Sequence, residues 1–193
     1  EHGFSYDKNS VYFYGKKIDG ISPKGFKIID FAVNSGDSAR FALLTDNKNL
    51  YKFIYEFDPE TYKLKNTKLV TVTNVKVDAP SFEIVKEDTG SYYRDNDSVF
   101  YYDMNKNELR KVEGSNSKSF VEMDNFFAKD NKNVYYIGKQ IRNISSEGFK
   151  FVGSDIAKNK NGVYFLKDET GTGDYEIVPL NFDSASFDIA NKD

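Results

Sequence analysis

Carboxylates in turns are the residues here whose type and spacing could do chemistry. "DNDS", residues 95–98, places Asp95 and Asp97 at alternating positions, with Asp103 a few residues on. Two acids at that spacing resemble the first half of a calcium loop, so Asp95, Asp97 and Asp103 are the candidate metal ligands. Calcium takes six to eight oxygens, several of them carboxylates. Equivalent turns elsewhere carry Asn9, Lys48, Lys132 or Asn161 at the third position, and a lysine there opposes a cation directly. Asx-turn chemistry is the plainer reading: short polar side chains bond their own backbone and tolerate left-handed φ.

Other catalytic equipment is thin. The sole histidine is His2, and there is no cysteine, which removes thiolate zinc sites, thiol catalysis and Ser-His-Asp arrangements. Paired carboxylates suit glycoside hydrolysis. Glu83, Glu122 and Asp188 do recur just after a phenylalanine, but Lys27 and Lys150 occupy similar places. The glycines of "DETGTGDY", 168–175, lie between two strand-like segments with no helix to follow, so a hairpin loop is expected there rather than a phosphate loop. No catalytic residue and no cofactor are assigned, and the chain is expected not to be an enzyme.

Aromatic residues are the other candidates. Phe and Tyr make up 16% of 193 residues, more than surface chemistry needs, so most must be core. If Val11 and Phe13 face inward, Tyr12 and Tyr14 face outward, and Tyr135 likewise opposes Val134 and Tyr136. Tyr12, Tyr14 and Tyr135 are therefore the candidate ligand-binding residues, a tyrosine ladder for sugar rings or a protein partner.

These residues recur because one phrase recurs. "YDKNSVYFYGKKIDGISPKGF" (6–26) returns as "KDNKNVYYIGKQIRNISSEGF" (129–149). Weaker copies open at "TDNKNLYKF", "RDNDSVFYYD" and "KNKNGVYFL". In all five copies Asp or Asn stands four residues before a Val or Leu anchor: Val11, Leu50, Val99, Val134 and Val163. The units run approximately 4–35, 43–85, 92–123, 127–153 and 156–189 within a single domain, 1–193. An insertion at 56–74 alternates like an added hairpin, and "DIANKD" resembles the opening of a sixth copy.

Each copy reads as β: Val, Ile, Tyr and Phe in short runs, broken by Gly-Lys and by Asp/Asn/Lys turns. No stretch sustains a helical apolar period, so helix should be scarce. The expected fold class is all-β, a repeat protein of about five short antiparallel units that stack to bury what one unit cannot. An open or curved array is preferred; a propeller-like arrangement is the alternative.

The phrase resembles the bacterial DKNYY repeat family, named for its Asp-Lys-Asn-Tyr-Tyr signature, most closely over Asp7–Ile18 and Asp130–Ile141. The resemblance implies repeat architecture and a bacterial, often exported protein. It transfers no site.

Net charge is −3, with 27 basic against 30 acidic residues, and this gives no electrostatic reason to expect nucleic acid. No apolar run is long enough to span a membrane. The expected function is therefore a non-enzymatic β-repeat interaction module of the bacterial envelope or a secreted protein, with a cytoplasmic location as the alternative. A protein partner is preferred. A glycan-binding module using outward tyrosines and a carboxylate-based enzyme are the alternatives. Uncapped strand edges leave the oligomeric state open.

Overall fold

The computed structural model describes residues 3–33, 39–86, 91–104, 106–123, 126–153, 155–168 and 175–190; His2 and most of the 168–175 loop lie outside them. Among the described residues, nineteen strands form five antiparallel sheets. Among the described residues there is no α-helix, only single 3-10 turns at Ala79–Ser81 and Ser117–Ser119. Among the described residues no helix is long and apolar enough to cross a membrane. The all-β repeat architecture is thus present.

The first sheet has three strands: β1 (Phe4–Tyr6), β2 (Val11–Phe13) and β3 (Lys16–Ile18). The other four are meanders of four. They comprise β4 (Lys27–Val33), β5 (Ala39–Thr45), β6 (Leu50–Phe57) and β7 (Leu64–Thr71); then β8 (Glu83–Ile84), β9 (Tyr92–Arg94), β10 (Val99–Asp103) and β11 (Glu108–Lys111). The fourth holds β12 (Val121–Glu122), β13 (Phe127–Lys129), β14 (Val134–Tyr136) and β15 (Lys139–Ile141). The fifth holds β16 (Lys150–Phe151), β17 (Ile156–Asn159), β18 (Gly162–Asp168) and β19 (Tyr175–Leu180). The 56–74 insertion is not an added hairpin. It lengthens β6 and β7, the ordinary third and fourth strands of the second sheet.

Sheet and sequence repeat are out of phase by one strand. In the four-stranded sheets the Asp or Asn turn joins the second and third strands, while the closing phrase supplies the first strand of the next sheet. The register of that first strand is the same in all four full sheets. The residue after the closing Phe pairs with the residue before the opening Asp or Asn: Lys27 with Thr45, Glu83 with Arg94, Val121 with Lys129, Lys150 with Lys158.

The chain divides into two compact units, Glu1–Lys111 and Val112–Asp193. In the first, core lies between successive sheets. Ala42, Leu44, Tyr51 and Phe53 of the second sheet pack with Val11, Phe13 and Ile18 of the first. The alternate residues Phe41, Leu43 and Leu50 pack with Tyr93, Phe100 and Leu109 of the third. A period-two alternation with both sets apolar is what burial on both faces requires. In the second unit, Phe127, Val134 and Ile141 of the fourth sheet pack with Ala157 and Leu166 of the fifth.

Two hairpins use left-handed residues in succession, Tyr14–Gly15 (φ 47°, 76°) and Ile137–Gly138 (φ 45°, 72°). Two-residue turns of this kind match the twist of the flanking strands. Gly25 is held by space as well as by φ +75°: a Cβ there would meet Asn47 Oδ1 at 1.8 Å.

Phe82 and Phe120 lock their crossovers onto the third and fourth sheets. Phe82 is 1% exposed; its ring stacks 5.7 Å from Tyr93 and lies 5.6 Å from Phe100. Phe82→Ala is expected to cost ~3–5 kcal/mol, as buried Phe-to-Ala changes do, measured by denaturant unfolding.

Candidate functional site

The repeated polar opener is built identically in every copy. Its Oδ1 accepts the backbone N–H groups two and three residues on: Asn9 and Ser10 for Asp7, Lys48 and Asn49 for Asp46, Asp97 and Ser98 for Asp95. Lys132 and Asn133 serve Asp130 in the same way, and Asn161 and Gly162 serve Asn159. The second oxygen reaches across to the crossover that enters the sheet. Ser22 N–H donates to Asp46 (3.2 Å), Asp78 N–H to Asp95 (2.8 Å) and Asn116 N–H to Asp130 (3.0 Å). Asn159 has an amide in that place and reverses the bond: its Nδ2 donates to Ser145 O at 2.9 Å.

A tyrosine five residues on adds a hydroxyl to the opener: Tyr12 to Asp7, Tyr51 to Asp46, Tyr135 to Asp130 and Tyr164 to Asn159. The third sheet has Phe100 in that position. Tyr12 is half-buried and Tyr14 is 58% exposed. Tyr135 is not outward as expected. It is fully buried, under the ring of Phe120 at 5.4 Å, with its hydroxyl donating to Asp130 Oδ2 (2.8 Å) and reaching Gly114 O. The opposite face of its sheet is covered too, so alternation along the strand does not mean exposure.

The metal reading fails on placement. Asp95 and Asp97 precede β10, and Asp103 closes its far end, ion-paired to Arg110 at 2.9 Å. Among the described residues no three His, Asp or Glu side chains group as metal ligands.

The carboxyls of Asp7, Asp46 and Asp130 are held in their charged form. Burial is the largest influence on Asp46 and Asp130 and pushes their carboxyls up. The donated N–H bonds and the tyrosine hydroxyl together outweigh it and hold both below the ordinary range. Asp7 is held low by the N–H groups of Asn9 and Ser10, then by Tyr12. A general acid needs the opposite shift.

Two of the clefts among the described residues of the first unit lie beside a crossover. The larger, about 560 Å³, lies between the crossover 74–78 and the Asp95 turn. Val75, Val77 and Phe100 give it apolar lining; Lys76, Lys111 and Asp97 supply charge of both signs. The smaller, about 180 Å³, is lined by Lys52, Val70, Tyr102 and Asn107. Lys52 is 9% exposed; its Nζ donates to the Tyr102 hydroxyl (2.6 Å) and to Asn107 Oδ1, and sits 4.2 Å from the centroid of Phe41. Burial pulls its pKa down to about 8. Lys52 was not a candidate in the sequence, although the signal is there: it stands where the other copies have Phe13, Tyr101, Tyr136 and Phe165.

Stacked four-stranded meanders with a stapled turn and crossover define an all-β repeat protein. The family model of the DKNYY family matches residues 1–169, and the chain belongs to that family. No curated protein and no solved structure matches it.

Removing the staple orphans several partly buried N–H groups at once. Asp130→Ala is expected to cost ~2–4 kcal/mol at neutral pH. Because the folded pKa is depressed, that contribution is present above the unfolded carboxyl pKa of about 4 and is lost as pH falls through the folded value. The gap between wild type and variant in urea unfolding should therefore close in acid. Lys52 predicts the other limb. Its folded pKa of about 8 lies below the unfolded value of about 10.4, so the penalty for burying its charge is relieved as pH rises between them. Stability should climb across that window, and Lys52→Met should abolish the climb.

Proposed function

We propose that the protein is a non-enzymatic interaction module that binds a protein partner through its turn-and-crossover surface. The observation that carries this reading is the 560 Å³ cleft beside the Asp95 turn. Valine lining with lysine and aspartate at the rim suits a peptide segment, whose backbone and mixed side chains use both kinds of contact. A sugar would want an exposed aromatic platform, and Phe100 in this cleft is fully buried. Catalysis is disfavoured because both oxygens of Asp95 already accept backbone N–H groups. Location in the bacterial envelope or outside the cell belongs to the same proposal and rests on the exported character expected from the sequence resemblance.

The partner should be reached from Asp97 and Lys76, both exposed. A photo-crosslinking side chain placed at Asp97 in producing cells is expected to capture one protein, with capture competed by wild-type chain. Joint charge reversal, Lys76→Glu with Lys111→Glu, should weaken binding of that protein about tenfold or more, since rim charges act on encounter and register. Equal capture from a control position at Lys17, or a melting shift with oligosaccharides alone, would sink the reading in favour of non-specific contact or of glycan binding.

A further inference from the structure

The third strand of the second sheet carries a lysine where packing asks for a ring. The other four copies place Phe13, Tyr101, Tyr136 and Phe165 two residues after the anchor, and β6 places Lys52 there. Burying an amine at such a point costs twice. A long side chain loses its rotamer freedom, and an ammonium leaves water. A buried ammonium is ordinarily met by a carboxylate. Among the described residues no carboxylate stands within ion-pair distance of Lys52 Nζ. Asp103, at the end of β10, is engaged by Arg110 at 2.9 Å.

What meets the amine is a closed triangle of neutral groups. Nζ donates to the Tyr102 hydroxyl oxygen (2.6 Å) and to Asn107 Oδ1, and the Tyr102 hydroxyl donates to that same Oδ1 (2.6 Å). These bonds use two hydrogens of the nitrogen. A neutral amine has two, and an ammonium has a third. For a third, the described neighbours are ring faces, Phe41 at 4.2 Å and Tyr102 at 5.3 Å from their centroids. The triangle is therefore complete with the amine uncharged, which leaves the nitrogen lone pair unclaimed. Burial acts in the same direction and brings the pKa down to about 8. It pushes the Tyr102 hydroxyl up, so that group keeps its proton.

The amine is also within reach of solutes. Lys52 lines the cleft of about 180 Å³, and Val70, Thr71 and Asn107 on the walls are all exposed. Pockets for drug-sized ligands run to roughly 300–1,000 Å³, so this one suits a compound of a few carbons rather than a peptide. Tyr102 and Glu108 are the other titratable groups in the lining, and the crossover wall, 71–74, contributes none. All of these residues belong to the first compact unit.

We propose that Lys52 is a nucleophilic amine that captures small aldehydes and ketones as an imine, with Tyr102 as its proton donor. A desolvated lysine in an apolar site is an activated nucleophile toward a carbonyl. The Nζ lone pair attacks the carbonyl carbon, a C–N bond forms, and an N–H proton passes to the carbonyl oxygen to give a carbinolamine. The Tyr102 hydroxyl, 2.6 Å from the attacking nitrogen, protonates the departing hydroxyl. Water leaves, the nitrogen pair closes the C=N bond, and the iminium returns its N–H proton to Tyr102. One water is released for each carbonyl bound, and nothing is oxidised or reduced. The capture is stoichiometric and reversible. It goes beyond the partner-binding proposal, uses a different cleft and does not depend on it.

The test treats the whole folded chain with propanal and cyanoborohydride at pH 7 and maps the alkylated lysines by mass spectrometry over time. Lys52 should react ~tenfold or more faster than the mean of the other lysines, because more of it is uncharged at that pH. Its rate should level off above about pH 8, while exposed lysines keep gaining toward ~10.4. Urea should erase the preference, and Lys52→Met should remove the fast site. A Lys52 that reacts no faster than exposed lysines in the folded chain would overturn the proposal. So would equal preference for a bulky probe, pyrene-1-carboxaldehyde, because the cleft would then not be where capture occurs. Tyr102→Phe should slow imine formation but not acetylation of Lys52 by acetic anhydride, which needs no loss of water from a carbinolamine. Equal slowing of both reactions would reduce Tyr102 to a structural support and overturn its role as donor.

Discussion

A crossover stays on its sheet only if its backbone finds a fixed partner there, and in this fold one polar side chain supplies it. Asp46, Asp95 and Asp130 each hold their own turn with one oxygen and the incoming crossover with the other. The turn fixes where the second and third strands begin; the crossover bond fixes where the first strand lies against them. Everything that packs between sheets follows from that alignment, because a slip of one residue would turn every apolar side chain to the wrong face. The fifth sheet shows which part of the arrangement is required. Asn159 keeps the turn acceptor and trades the second oxygen for a donor aimed at a carbonyl, so the join survives with its polarity reversed. What is selected is a filled hydrogen bond at that point, not a negative charge.

Packing between sheets explains the aromatic abundance without a ligand. The second and third sheets of the first unit are apolar on alternate residues of both faces, and large rings meet between sheets at 4.9–5.0 Å. Lys52 interrupts that pattern. Its amine replaces an aromatic in the core and is kept by a hydroxyl, an amide oxygen and a ring face rather than by a carboxylate. Such an arrangement stabilises little, since burying the charge costs what the contacts return.

Much of this was legible before the structure. The repeated phrase gave five units, their strands and the Asx character of the turns, because turn chemistry and β-branched or aromatic runs are local signals. The metal set Asp95, Asp97 and Asp103 did not hold, since strand length separates residues that sequence proximity brings together. Tyr135 was misjudged for a different reason. Period-two alternation assigns a residue to a face but cannot say whether that face meets water, and here it meets Phe120. The 56–74 stretch resembled an addition because the third and fourth strands vary in length from copy to copy, and length is not written in any one residue. The phase of the sheets against the phrase was also hidden, because a repeat in sequence has no marked beginning.

That offset has a mechanical consequence. No full sheet can be released without withdrawing a strand that the chain delivered from the previous repeat, along with the carboxylate bond and the ring that seat it. Adjacent repeats are therefore coupled through the backbone as well as through side chains, and their stabilities enter as neighbour terms rather than independent sums. A force applied along the chain would meet each crossover in turn as a shear-loaded clasp, with the two-residue first strands of the third, fourth and fifth sheets yielding before the seven-residue one of the second.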